Sequence, residues 1–137
     1  MKDSRLALAL VALAVAACSK GPQSAETAAA SPQEADGKNL FAANCGACHI
    51  AAAPGTAAAK MQTIGPNLWG VVGRPSASTD YDYSPAMKAA NLTWDEATLD
   101  RYLENPQMMV PSTRMAFPGL SDTDERKAII AYLKTQG

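Results

Sequence analysis

The chain has 137 residues, enough for one domain, and its 12 basic and 13 acidic side chains leave a formal net charge of −1. That balance excludes the basic footprint of a nucleic-acid-binding protein. Three cysteines and a single histidine, with Cys18 far from the others in sequence, also leave too few ligands for a four-coordinate structural zinc site.

The first segment reads as a targeting signal. Lys2 and Arg5 give it a short charged start, and residues 6–17 form a twelve-residue apolar run. Such a run is too short to span a bilayer comfortably but suits the core of a signal peptide, assigned here to residues 1–17. Val15-Ala16-Ala17 then leads into Cys18, a pattern that resembles the lipobox of bacterial lipoproteins, in which cleavage leaves a lipidated N-terminal cysteine. The alternative is an ordinary signal peptide cleaved around Ala17, with an incidental Cys18. An unpaired exported cysteine at that place favours lipidation. Residues 18–33 mix Ser, Ala, Gly, Gln and Pro with no apolar period, so they read as the lipid-anchored cysteine and a flexible linker.

A domain over residues 34–137 follows, and at about a hundred residues it can bury only a limited core of its own. A helix is predicted from Glu34, with Gly37, Phe41, Cys45 and Cys48 along one face. Gly37 inside that pattern is costly unless something packs closely against it. Residues 50–64 are Ala-rich but broken by Pro54-Gly55, which predicts a loop with at most one helical turn. Residues 65–75 hold too many glycines for regular structure, and their apolar side chains should face the core. Ser84-Pro85 supplies an N-cap and a proline at N1, and Asn91 a stop, for a short helix over 85–90. Thr93-Trp94-Asp95-Glu96 is a capping-box sequence; Leu99, Tyr102 and Leu103 make the apolar stripe behind it, and Asn105-Pro106 ends that helix. Residues 107–120 are expected to be non-helical. A last helix opens near Ser121, with Asp122, Asp124 and Glu125 in its first turn and Ile129, Ile130, Tyr132 and Leu133 on its buried side. The result is an all-α domain of about four helices and much ordered loop, wrapped around something.

The stretch Cys45-Gly46-Ala47-Cys48-His49 says what that something is. C-x-x-C followed directly by histidine is the attachment signature of a c-type haem. The spacing lets two thiols form thioethers to vinyl groups on one edge of a porphyrin, while the next residue turns its imidazole under the ring toward iron. A thioredoxin-like dithiol expects a βαβ setting that this chain lacks. A plain disulfide leaves His49 unexplained. A buried porphyrin would also supply part of the core that a small domain is missing.

His49 is the only histidine, so the second axial position falls to a methionine, a lysine or nothing. Met61, Met87, Met108 and Met109 read as flexible apolar filler. Met115 differs by its setting in Pro111-Ser112-Thr113-Arg114-Met115-Ala116-Phe117-Pro118, where two prolines stiffen an extended loop. It is the first candidate for the distal ligand, and Met108 or Met109 is next.

These segments together resemble a class I cytochrome c of the mitochondrial and bacterial c2-like type. The resemblance runs through Asp36-Gly37-Lys38, the C-x-x-C-H stretch, Gly65-Pro66-Asn67-Leu68, Gly73-Arg74, Thr93-Trp94, Tyr102-Leu103-Glu104-Asn105-Pro106, the Met115 loop and Ala131-Tyr132-Leu133. It implies the class I cytochrome c fold around one covalent haem c, with thioethers at Cys45 and Cys48 and iron held by His49 and Met115. It further implies that Pro66 accepts the ring N–H of His49, that Tyr102 lies near the methionine sulfur, and that Arg74 and Trp94 border a haem propionate. Gly37 and Phe41 would face the last helix at Ile129 and Tyr132. Ser112 stands where the mitochondrial form usually has glycine, so its backbone is expected to avoid positive φ. The lysines that crowd the exposed haem edge of the mitochondrial protein are missing; residues 18–137 hold ten basic and twelve acidic side chains.

The function expected from this reading is one-electron transfer between respiratory redox proteins, such as a cytochrome reductase complex and a terminal oxidase or dehydrogenase. The protein would be lipid-anchored through Cys18 on the periplasmic side of a bacterial membrane, or otherwise soluble in the periplasm. Filled axial sites make it a carrier and not an enzyme. A haem peroxidase-like enzyme or a diatomic gas sensor is the alternative, if the sixth iron site is open.

Overall fold

The computed structural model describes residues 32–137. The expected signal peptide, Cys18 and the linker as far as residue 31 lie outside the described residues. Among the described residues five α-helices form: α1 (Pro32–Asn44), α2 (Pro85–Ala89), α3 (Glu96–Glu104), α4 (Pro106–Met109) and α5 (Thr123–Lys134), with one 3-10 turn at Ala58–Lys60. Among the described residues no strand forms; a single antiparallel bridge joins Pro75 to Thr93. No described helix is long and apolar enough to cross a membrane.

Helix α1 opens at Pro32, two residues ahead of the expected start, and buries Gly37 and Phe41 against α5. A Cβ on Gly37 would lie 2.0 Å from the Ala128 carbonyl oxygen, so the two backbones meet with no room for a side chain. The glycine that costs helix propensity thus allows the crossing. Beside it the Phe41 and Tyr132 rings lie 5.3 Å apart, within the range of favourable tilted aromatic pairs. On α5, Ile129 is wholly buried with Ile130 and Leu133, whereas Tyr132 is only half-buried. Asp122 caps this helix by accepting from the backbone N–H groups of Asp124 and Glu125 at 2.8 and 3.1 Å.

Around α3 the structure departs from the sequence expectation twice more. Thr93 does not cap α3, because the bridge to Pro75 and the bond from Trp94 N–H to the Arg74 carbonyl (2.9 Å) hold both residues extended. Asp95 caps instead, accepting from Thr98 N–H at 2.7 Å, and Glu96 pairs with Lys134 of α5 at 2.7 Å. Residues 107–109, expected to be non-helical, complete the single turn of α4. Asn105 both ends α3 and caps α4, accepting from Met108 N–H at 3.0 Å, while the buried Pro106 takes N1. The pair that stops one helix therefore starts another at a new angle.

Arg126 is a buried cation that the apolar pattern does not show. Its guanidinium donates to Asp100 of α3 at 2.8 Å, to the Leu120 and Ser121 carbonyls at 2.8 and 3.0 Å, and to Thr123. Burial of a charge is tolerated where its donors are satisfied in this way. Together with the bond from Leu120 N–H to the Leu103 carbonyl (2.9 Å), it fixes the far end of the loop between α4 and α5.

Replacing Gly37 with Ala should destabilise the haem-loaded protein by about 3 kcal/mol or more, because the obstructing atom is a backbone oxygen that cannot swing aside. Guanidinium denaturation followed by helix circular dichroism measures it.

Candidate haem site

The C-x-x-C-H stretch is folded by two carbonyls at the end of α1. The Phe41 carbonyl accepts from Cys45 N–H at 2.8 Å and Gly46 N–H at 2.9 Å; the Cys45 carbonyl accepts from Cys48 N–H at 3.0 Å and His49 N–H at 2.9 Å. This turn leaves Cys45, Cys48 and His49 half-buried on one wall of a cavity of about 410 Å³. Cys45 and Cys48 are not joined to each other. Burial pushes the Cys45 thiol up to about 11, and the neighbouring Cys48 adds to the rise. A dithiol built for redox exchange has the opposite perturbation, a lowered pKa.

His49 is oriented by the segment that follows the Ala-rich loop. Its Nδ1 lies 2.8 Å from the Pro66 carbonyl oxygen, a bond in which the ring nitrogen donates. Burial holds the imidazole below its ordinary pKa, against the opposing pull of that bond, so the ring is neutral at pH 7. With Nδ1 committed, Nε2 is the nitrogen left with a lone pair for a metal. Residues 65–68 are strapped alongside 48–52: Gly65 N–H donates to the Cys48 carbonyl at 2.8 Å, and the Asn67 side chain exchanges bonds with the Ala52 backbone at 3.1 and 2.9 Å. Gly65 lies flat against the imidazole, where a Cβ would come within 2.3 Å of Cε1.

The remaining residues singled out in the sequence line the same cavity: Pro66, Arg74, Trp94, Tyr102 and Met115. Arg74 donates to the Trp69 carbonyl at 2.8 Å, and the Trp94 and Tyr102 rings pack 4.9 Å apart. Burial pushes the Tyr102 phenol up, so it stays protonated. Of the three methionines weighed as distal ligands, only Met115 lines the cavity. Met108 is 78% exposed and so is not core filler, as Met61 at 62% is not; Met109 packs half-buried on the core away from the cavity. Met87 is buried on α2 and fills space in the wall.

Three contributors were named in the sequence only as members of a motif, with no role assigned. Thr113 is buried between Tyr102 and Met115: its hydroxyl lies 3.4 Å from the Tyr102 hydroxyl and accepts from Met115 N–H at 3.3 Å. Gly65 and Asn67 act through packing and backbone bonds that no local pattern announces. The expectation for Ser112 is overturned. Its φ is +68°, the left-handed region, because the tight turn closed by Thr113 N–H on the Val110 carbonyl (3.0 Å) requires it whatever the side chain.

A flat macrocycle fits these walls. The volume lies in the ~300–1,000 Å³ range of prosthetic-group sites. The lining is dominated by Phe41, Leu68, Val71, Leu99, Leu103 and Ile129, and the His49 imidazole and the Met115 thioether, both groups that can bind iron, stand on the same walls. A wider, shallower groove of about 610 Å³ between α1 and the start of α5 holds none of these groups and is rimmed by Asp36, Asp122, Asp124 and Glu125. Among the described residues no three His, Cys, Asp or Glu side chains gather as a separate metal site.

Residues 34–137 match the cytochrome c family as a whole. The chain belongs to that family. It is 37% identical over 115 residues to cytochrome c of Tetrahymena pyriformis, covering 84% of this chain and 99% of the relative. It is 51% identical over 74 residues to cytochrome c2 of Rhodomicrobium vannielii, covering 53% and 59%. Among solved structures it resembles cytochrome cH from Methylobacterium extorquens, with a TM-score of 0.65, 41% identity, and coverage of 74% and 97%. It is a class I cytochrome c with the all-α fold of that group, one covalently bound haem c, and a one-electron carrier's function in place of an enzyme's.

Ser112→Gly should stabilise the haem-loaded protein by roughly 0.5–1 kcal/mol: relief of a left-handed side chain outweighs the added freedom of the unfolded glycine. A higher denaturant midpoint with an unchanged m-value is the expected reading.

Proposed function

We propose that Cys45 and Cys48 would hold a haem through two thioethers and that His49 Nε2 and the Met115 sulfur would hold its iron, which leaves the iron no free site for a substrate and makes this chain a carrier. The observation that carries the reading is a single one. A neutral imidazole, fixed through Nδ1 by Pro66, and a thioether, fixed through its backbone N–H by Thr113, line one apolar cavity together with both thiols. Bound there, haem supplies a reversible Fe(II)/Fe(III) couple, and a histidine and methionine pair favours the reduced state relative to harder ligands.

The chain's own part is to hold still and keep water out. The Pro66 bond holds the His49 ring in one tautomer and one orientation. Tyr102, protonated and buried beside Thr113, offers a donor near the Met115 backbone. Arg74 and Trp94 put a cation and an indole on the cavity wall and would be the residues to hold a haem propionate. An enzyme of the peroxidase kind needs a distal acid–base group, and the only histidine is already bonded to Pro66.

Its partners are other redox proteins, for which we propose a cytochrome reductase complex as donor and a terminal oxidase or dehydrogenase as acceptor, meeting it through a small transient contact. Among the described residues no lysine lines the cavity, and Arg114 at its edge is paired with Asp82 at 3.3 Å, which lends no support to recognition through a ring of lysines. The proposed location is the periplasmic face of a bacterial membrane. Residues 1–17 would be the signal peptide, Cys18 the lipidated residue, 18–33 the tether and 34–137 the cytochrome domain.

Met115→Ala should abolish the sulfur-to-iron charge-transfer band of the oxidised protein, lower the potential and open the reduced protein to carbon monoxide. Met108→Ala, Met109→Ala and Met87→Leu should keep the band. Its loss in one of these three, with retention in Met115→Ala, would reassign the ligand. Carbon monoxide binding by the unaltered protein would favour the enzyme or sensor. Separately, Cys18→Ser should move the haem-loaded domain from the membrane to the soluble periplasmic fraction; a soluble parent protein without a lipid mass shift would reject the anchor.

A further inference from the structure

The turn of α4 does more than join α3 to the methionine loop. It is unusually well fixed for four residues: Pro106 is fully buried, Asn105 caps it, and Val110 just beyond it is buried as well. This anchored turn presents one polar side chain toward the loop. The Gln107 amide nitrogen donates to the Thr113 carbonyl at 3.3 Å and to the Met115 carbonyl at 3.0 Å, so one NH2 group spans the residues on either side of Arg114. The same stretch contains the left-handed Ser112, a conformation that serine holds only where its surroundings enforce it.

We propose that Gln107 is a positioning residue for electron transfer: its amide clamps the backbone at Thr113 and Met115 and so limits how often the Met115 thioether leaves its place on the cavity wall. This rests on the assignment of Met115 as distal ligand. The buried side of the loop is already held by Thr113 and Tyr102. Gln107 holds the exposed side. A carbonyl accepts only from a donor, so the role needs an N–H at this position, and length or polarity alone does not replace it. Glutamate has the same shape but at neutral pH would set a carboxylate oxygen against two carbonyl oxygens. Methionine keeps the length and removes the donor.

The experiment uses the haem-loaded protein. Imidazole binding to the oxidised form, followed by loss of the sulfur-to-iron band, reads how often the methionine site opens, and amide exchange at residues 113–116 reads the backbone directly. Gln107→Met and Gln107→Glu should each tighten apparent imidazole affinity by roughly tenfold, the population shift that one net hydrogen bond is worth, and speed exchange at 113–116 by a similar factor. Met108→Ala, on the same turn but exposed and outside the clamp, should change neither. Gln107→Arg, which restores N–H donors, should return both toward the parent values. If Gln107→Met lowers the denaturation midpoint while imidazole affinity and local exchange stay at parent values, Gln107 is merely structural and the proposal is overturned. A parent protein that lacks the band overturns the ligand assignment and this proposal together, whereas a normal band with no response to Gln107 substitution overturns this proposal alone.

Discussion

Helices α1 and α5 touch backbone to backbone at Gly37 and Ala128, and the position of nearly everything else depends on that contact. A small domain has little apolar surface with which to fix two helices across a cavity. Bringing their axes as close as glycine allows gives dense packing at the crossing, with Phe41 and Tyr132 beside it and Ile129 fully buried below. The end of α1 is thereby held over the cavity. Since the thiols and the imidazole hang from the turn at that end, an error in the crossing would be carried directly into the placement of His49.

The rest of the domain is mostly loop, and it is ordered because its backbone polar groups have named partners. Asn67 ties the strap under His49 to Ala52, Arg126 gathers two carbonyls at the start of α5, and Asn105 redirects the chain from α3 into α4. Each uses a polar side chain for a backbone bond that a longer helix or a sheet would otherwise supply. Both sides of the cavity are therefore fixed in the same manner: Pro66 through its carbonyl on the histidine, Thr113 through its hydroxyl on the methionine backbone. This rigidity suits a carrier, which gains speed when its ligands do not rearrange as the charge on iron changes.

Charge has a lesser part. Asp82 pairs with both Lys88 and Arg114, and all three side chains are largely exposed, so these pairs add little to stability. They do neutralise the arginine at the cavity edge. The surface at that edge is correspondingly less cationic than the residue count alone suggests.

Much of this was determined by sequence, because the relevant constraints are local or are constraints of number. Cys45, Cys48 and His49 declare their chemistry by spacing. A lone histidine limits the second ligand, and Ser84-Pro85 starts a helix through a bond that spans three residues. The cost of Gly37 announced a close contact, though not its partner atom. What tertiary structure alone decided depends on groups distant in the chain. Extended bonds to Arg74 and Pro75 moved the start of α3 from Thr93 to Asp95. Closure of the turn on Val110 drove Ser112 to positive φ. The three methionines weighed as ligands have equal chemistry in the sequence, and it was the direction taken by the chain after Pro106 that put Met108 in solvent, Met109 on the core and Met115 in the cavity. A side chain's type is written in the sequence, but what it faces is set by where the packed helices oblige the loop to run.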